Sequence, residues 1–154
     1  MGWEFIVRAV IKLRQITSIG LFVLVPLLFA IGIYAFLRVD PPPLLKILMV
    51  KFQNNSIFHI AWNNLETTRT PDWFVFNLPD GLWAFSFTSF LMISTKRDSS
   101  RTRQIYLLIG LLVMVGLELL QGSVLMGTFD PFDLLAIFLG FVTSVYLFSN
   151  RSGA

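Results

Sequence analysis

The stretch "ITSIGLFVLVPLLFAIGIYAFL", residues Ile16–Leu37, decides the fold class, because it holds no charged side chain over its whole length. A helix that crosses a membrane needs roughly 20 consecutive apolar residues. The run is too long for the apolar region of a signal peptide, and no small-residue cleavage site follows it. We therefore predict a retained membrane helix, with a kink expected at Pro26.

The composition extends this prediction to the whole chain. Of 154 residues, 55% are hydrophobic and only 14% are charged, whereas soluble proteins have about 25% charged residues. The chain has no Cys and a single His, which excludes disulfides and argues against cysteine or histidine metal sites. The net charge of +3 does not indicate nucleic-acid binding, because the basic residues flank apolar runs. We expect a single integral membrane domain without metal or cofactor.

Three further membrane helices and two interfacial segments complete the predicted architecture. The spans are residues 16–37, 78–95, 105–121 and 130–149, and the interfacial segments are residues 1–15 and 40–77. In the first segment Glu4, Arg8 and Lys12 recur on one helical face, as in a basic amphipathic helix on a membrane surface. The second begins with prolines, which end a helix. The predicted fold is an all-α, integral membrane four-helix bundle with short amphipathic interfacial helices.

The distribution of basic residues predicts the orientation. If the N-terminus is cytoplasmic, the cytoplasmic side holds Arg8, Lys12, Arg14, Lys96, Arg97, Arg101, Arg103 and Arg151. The opposite side then holds Arg38, Lys46, Lys51 and Arg69. Because cytoplasmic loops carry an excess of Lys and Arg, both termini are predicted to lie in the cytoplasm of a bacterial inner membrane.

This topology gathers five polar residues at the outer ends of the spans. They are Asp80, Glu118, Gln121, Asp130 and Asp133. Asp80 is explained as an acid in a first helical turn, after a cap at Asn77, and Asp130 and Asp133 are explained as a variant of the capping box. Gln121 is explained as a hydrogen-bonding residue at a helix end. Together they form the candidate ligand-binding set.

Glu118 differs from the other four, because capping cannot account for it. It lies in the last turn of its helix, where the dipole disfavours an acid by roughly 0.3–1 kcal/mol. Acids inside membrane spans are usually functional. We expect Glu118 to face the bundle and to lie within hydrogen-bond reach of Gln121 or of the start of the fourth span near Thr128–Asp130.

The same residues resemble the VanZ-like family of small bacterial membrane proteins. Glu118-Leu-Leu-Gln121, Asp130-Pro-Phe-Asp133 and Gly140 fit the motif of its last helix pair, and Asp80 fits an earlier aspartate. The resemblance covers roughly residues 77–140. It implies a cell-envelope context, with an association with glycopeptide resistance, and no particular reaction.

Three positions depart from the family pattern, and they leave the acidic residues with fewer basic and amide partners. Gly127 stands where the family has Arg, Ile137 where it has Asn, and Ala84 where it has His.

Three functions remain open at this point. The first is a VanZ-like envelope protein whose outer acids bind the head group of an envelope lipid or precursor. The second is a non-catalytic accessory subunit of a larger membrane complex, with other membrane proteins as partners. The third is an enzyme with Glu118 and Asp130 or Asp133 as acid and base, and it ranks last because the sequence has no nucleophile motif or phosphate loop.

Overall fold

The structure, a computed structural model, describes residues 2–37, 70–121 and 130–150, which form helices joined by turns and contain no strand. The helices are α1 (Gly2–Ile19), a π-helical segment (Gly20–Leu24), α2 (Val25–Phe36), α3 (Asp72–Phe76), α4 (Leu78–Ser94), α5 (Ser100–Gln121) and α6 (Pro131–Ser149). Three stretches are long and apolar enough to cross a membrane, namely Ala9–Ala35, Ser100–Leu120 and Pro131–Ser149. The described chain is therefore all-helical and of the multi-pass membrane type.

The N-terminal part is one uninterrupted helical stretch. We predicted an interfacial helix at residues 1–15 and a separate span at 16–37, but α1 passes through this boundary without a break. The irregularity lies further along, where the Val25 N–H donates to the Gly20 carbonyl, five residues back. Pro26 follows at once and has no N–H to continue the ladder. A π-helical turn directly before the proline accommodates this lost donor.

The remaining helices lie close to the predicted spans. α6 corresponds to residues 130–149, and α5 covers 105–121 but already begins at Ser100. α4 begins at Leu78 as predicted and is 17 residues long, so it is not among the three stretches above and its crossing of the membrane stays a prediction. Of the predicted interfacial segment 40–77, residues 40–69 lie outside the described residues, and the rest contains α3.

α4 and α6 are parallel neighbours. At their starts, the Asn77 amide contacts the Asp133 carboxylate, and further along the Ser89 and Ser144 hydroxyl oxygens are 2.9 Å apart. Contacts therefore pair residues in ascending order on both helices. α5 follows α4 after a short turn at residues 95–99 and runs back in the opposite direction.

The N-terminal helical stretch is antiparallel to α4 and α6. The ring of Phe22 meets that of Phe148, near the end of α6, edge to face at a centroid distance of 5.4 Å. At its other end, the Tyr34 hydroxyl donates to Asp80 near the start of α4. The ends of α2 and α5 and the starts of α4 and α6 thus lie together at one end of the molecule.

The closest approach of two helices is between α4 and α6 at glycines. A Cβ atom on Gly140 would collide with the carbonyl oxygen of Gly81 and lie 3.0 Å from the backbone nitrogen of Phe85. A Cβ on Gly81 would lie 3.1 Å from the carbonyl oxygen of Ala136. Two helix backbones can approach so closely only where side chains are absent or small.

Beyond this contact, the interior consists of small and apolar side chains. Ala84, Met114 and Ile137 form a buried cluster contributed by α4, α5 and α6. Ser89 and Ser144 are both fully buried, and the hydrogen bond between them joins α4 to α6 nearer the C-terminal ends of the two helices. In a membrane such packing and interhelical hydrogen bonds replace the hydrophobic effect as the force that associates helices.

We expect Gly140→Ala to lower the free energy of unfolding by roughly 1–3 kcal/mol, as overpacking does, because the added methyl group meets backbone atoms that cannot rotate away. Gly116→Ala in α5 is the matched control, since a Cβ there has nothing within 4 Å. Titration with sodium dodecyl sulfate in mixed micelles measures the free energy of unfolding of both variants. Equal stability of the two variants would contradict the close approach of α4 and α6.

Candidate functional site

The start of α6 is capped by Asp130. Its backbone is extended, its Oδ1 accepts a hydrogen bond from the Phe132 N–H at 3.0 Å, and its carbonyl accepts from the Asp133 N–H at 3.0 Å. Pro131 in the first turn lacks the N–H that would have no partner there. The predicted N-cap at Asp130 is therefore confirmed.

Asn77 has a role that the sequence did not indicate. We predicted it as the cap of α4, but this is wrong, because it has helical backbone angles and its side chain forms no capping bond. Its Nδ2 instead donates to Asp133 Oδ1 at 2.7 Å and to Asp130 Oδ2 at 3.3 Å. A single amide group thus holds two carboxylates and joins the starts of α4 and α6.

Glu118 lies next to this pair, in the last turn of α5. Its side chain is 3% exposed and therefore faces the bundle instead of lipid or bulk water. The charges of Asp130 and Asp133 act on it. Oε1 is fully buried and has no hydrogen-bond partner among the described residues. A buried acceptor without a donor is unusual in a native structure and requires an explanation.

The hydrogen bond that we predicted for Glu118 is not formed with any described residue. The Asn77 amide at the start of α4 is already used, because both aspartates accept from it. Of the expected region Thr128–Asp130, residues 128 and 129 lie outside the described residues, and Asp130 forms no hydrogen bond with the buried Glu118 Oε1. Gln121 is the last residue of α5, and its side chain is likewise outside the described part.

Asp80 is at the same end but belongs to a different contact. Its Oδ1 accepts a hydrogen bond of 2.8 Å from the Tyr34 hydroxyl, which ties the start of α4 to the end of α2. Tyr34 was not predicted as a site residue, because nothing in its local sequence relates it to an acid so far along the chain. The structure therefore brings Glu118, Asp130 and Asp133 together, and we name these three the acidic cluster.

Charge is segregated along the molecule. The acidic cluster and Asp80 lie at one end, and the described basic residues lie in α1, in the turn after α4 and in the first turn of α5. These basic residues are Arg8, Lys12, Arg14, Lys96, Arg97, Arg101 and Arg103. Across the described ranges, no three His, Cys, Asp or Glu side chains are placed to hold a metal ion.

Comparison of the chain with protein-family models, with curated proteins and with solved structures finds no match in any of the three. The chemistry of the site is therefore argued from its geometry. The resemblance to the VanZ-like family stays a prediction from the motif residues.

We expect Asn77→Ala to lower the free energy of unfolding by roughly 1–3 kcal/mol, because two buried or half-buried carboxylates lose a shared donor. Asn77→Asp should lower it further, since it adds a carboxylate to the acidic cluster. Asn150→Ala, on an exposed residue at the end of α6, serves as the control in the same detergent titration. An Asn77→Asp variant as stable as the wild type would contradict the bridging role.

Proposed function

We propose that this chain is a four-helix protein of the bacterial inner membrane, similar to the VanZ-like family, whose acidic cluster binds the ammonium head group of an envelope lipid or lipid-linked precursor. The observation that carries the proposal is the buried Glu118 Oε1, which lacks a donor beside two further carboxylates. A purely structural cluster would be expected to satisfy its most buried acceptor from within the protein.

The chemistry of the cluster favours an ammonium group as the ligand. Such a group offers three donors and no acceptor, and its hydrogen bonds to carboxylates are charge-assisted and short. Asp130 and Asp133 are half-buried and form the accessible rim, while Glu118 forms the buried base. A phosphate or carboxylate group would be repelled here. The ligand must therefore present its amine to the cluster and keep any anionic group outside it.

Two positions support a binding role over a catalytic one. Where the VanZ-like pattern has His and Asn, this chain has Ala84 and Ile137, and both are buried in one apolar cluster with Met114. The two substituted positions thus lie close together in the interior of the bundle. A site with apolar packing in place of these polar groups has fewer means to move protons and can still attract a cation.

The length and direction of α4 support its crossing of the membrane. Its 17 residues span about 26 Å at 1.5 Å per residue, close to the roughly 30 Å of a hydrocarbon core. It runs parallel to α6, which is itself long and apolar enough to cross. Four crossings, with the basic end in the cytoplasm, would place the acidic cluster at the outer surface.

A second candidate function, an accessory subunit of a larger membrane complex, is favoured by one observation. The part of α1 from Ala9 to Thr17 is exposed throughout and includes large apolar side chains such as Val10 and Leu13. A neighbouring subunit could cover this surface. Co-purification with fixed partners, together with no effect of Glu118→Gln on lipid binding, would favour this second function.

We expect the purified protein to retain phosphatidylethanolamine in preference to phosphatidylglycerol, and Glu118→Gln to lose this preference. A hydrogen bond to a charged group contributes roughly 1.5–3 kcal/mol, so the ratio of the two dissociation constants should fall by about tenfold or more. Native mass spectrometry of the protein in detergent with each lipid measures this ratio. Glu4→Gln, on an exposed residue at the opposite end, is the matched control.

The same variant separates binding from structure. Glu118→Gln should unfold at the same or a higher detergent concentration than the wild type, because it replaces a buried carboxyl group beside two others with a neutral amide of the same size. A loss of stability with an unchanged lipid preference would show that the carboxylate serves packing, and would overturn the proposed function.

We expect a cysteine at residue 98 to react with reagents only from the cytoplasmic side, and one at residue 72 only from outside. The chain has no native cysteine, so Asp98→Cys and Asp72→Cys form a matched pair of exposed positions at opposite ends. Labelling of intact spheroplasts with a membrane-impermeant maleimide, before and after lysis, measures the accessibility. The reverse pattern would show that the acidic cluster faces the cytoplasm.

A further inference from the structure

An apolar groove lies between α4 and α6, at the end that carries the acidic cluster. It encloses about 420 Å³, within the roughly 300–1,000 Å³ of typical ligand pockets. Its floor is formed by Gly81, Ala136 and Gly140, and Phe85 and Leu139 belong to its walls. The groove exists because the two glycines bring the helix backbones together and leave no side chain to fill the space above them.

The length of the groove matches one leaflet of a bilayer. Its lining on α6 runs from Phe132 to Thr143, which is about 16 Å at 1.5 Å per residue. The hydrocarbon core of a membrane is roughly 30 Å thick, so the length of the groove is about half of this thickness. This is the depth that a single acyl chain of one leaflet occupies.

Asn77 connects the polar end of the groove to the two aspartates of the acidic cluster. Asn77 lines the groove and also donates to both Asp130 and Asp133. Trp73 lines the same end and is 60% exposed, as is typical of tryptophans at the level of lipid head groups. An amphiphile in this groove would therefore have its chain on apolar surface and its head beside carboxylates. Charge complementarity requires that head to be cationic at its tip.

We propose that the groove holds one acyl chain of a phospholipid whose ammonium head group lies at the acidic cluster. This inference rests on the proposed function and adds the place where the acyl chain of the ligand lies. A soluble amine would leave the groove empty, and an anionic lipid would place like charges together. A phosphatidylethanolamine-type lipid satisfies both parts of the site, since its glycerol and phosphate can lie at the membrane surface.

A lipid with a photoreactive chain tests this inference. The full chain is reconstituted in nanodiscs with phosphatidylethanolamine that carries a diazirine midway along one acyl chain, illuminated, and analysed by peptide mass spectrometry. We expect adducts concentrated on Phe85, Leu139 and Thr143. Unlabelled phosphatidylethanolamine should compete for them, and phosphatidylglycerol should not.

Leu139→Trp fills the groove and should abolish these adducts. Its control is Leu108→Trp in α5, because the two leucines are similarly exposed, 56% for Leu139 and 58% for Leu108, and Leu108 does not line the groove. The control should leave the adducts in place. Both variants are first checked for unchanged unfolding in the detergent titration.

The outcomes separate the two proposals. Adducts spread evenly over the lipid-facing helices, with the preference for phosphatidylethanolamine intact in native mass spectrometry, would overturn the groove and leave the proposed function standing. Groove adducts that form equally from both lipids and persist in Glu118→Gln would overturn the head-group site, and with it the inference as stated. Groove adducts that require both an ammonium head group and Glu118 would support both.

Discussion

The backbone contact between Gly81 of α4 and Gly140 of α6 is the constraint on which the rest of the structure depends. Because no side chain separates the two helices there, the hydroxyl groups of Ser89 and Ser144 come within hydrogen-bond distance further along. The same closeness brings the starts of both helices together, so that one amide group reaches two aspartates. Bulkier residues at the two glycines would move all of these contacts out of range.

The helices could be predicted from sequence because their signals are local. Apolar runs, the proline at the start of α6 and the cap at Asp130 depend only on neighbouring residues, and the structure has helices in the corresponding places. The burial of Glu118 was predictable as well, because lipid offers a carboxylate no partner. We predicted two helices at residues 1–15 and 16–37 because the composition changes there from a basic amphipathic pattern to an uncharged apolar run.

The contacts between helices could not be predicted in the same way. Asn77 has the local signature of a cap, and only the position of α6 explains why its side chain donates elsewhere. Tyr34 and Asp80 are 46 residues apart, and nothing in the local sequence of either residue identifies the other as its partner. Glycines are frequent in membrane helices, so Gly81 and Gly140 could not be matched as a pair from one sequence. Contacts between residues of different helices form the candidate site, and the periodicity of a single sequence does not specify which residues make these contacts.

The π-helical segment has a consequence for the orientation of the helix that it interrupts. A π-helical turn holds about one residue more than an α-helical turn, so every later side chain is rotated by roughly 100° about the axis compared with an unbroken α-helix. The face that α2 buries, with Ala30 and Ile33, is therefore out of phase with the faces of α1. One continuous helical stretch can in this way direct the basic residues of α1 and the buried face of α2 to different sides. α1 and α2 thus present differently rotated faces to their neighbours although they form one continuous stretch.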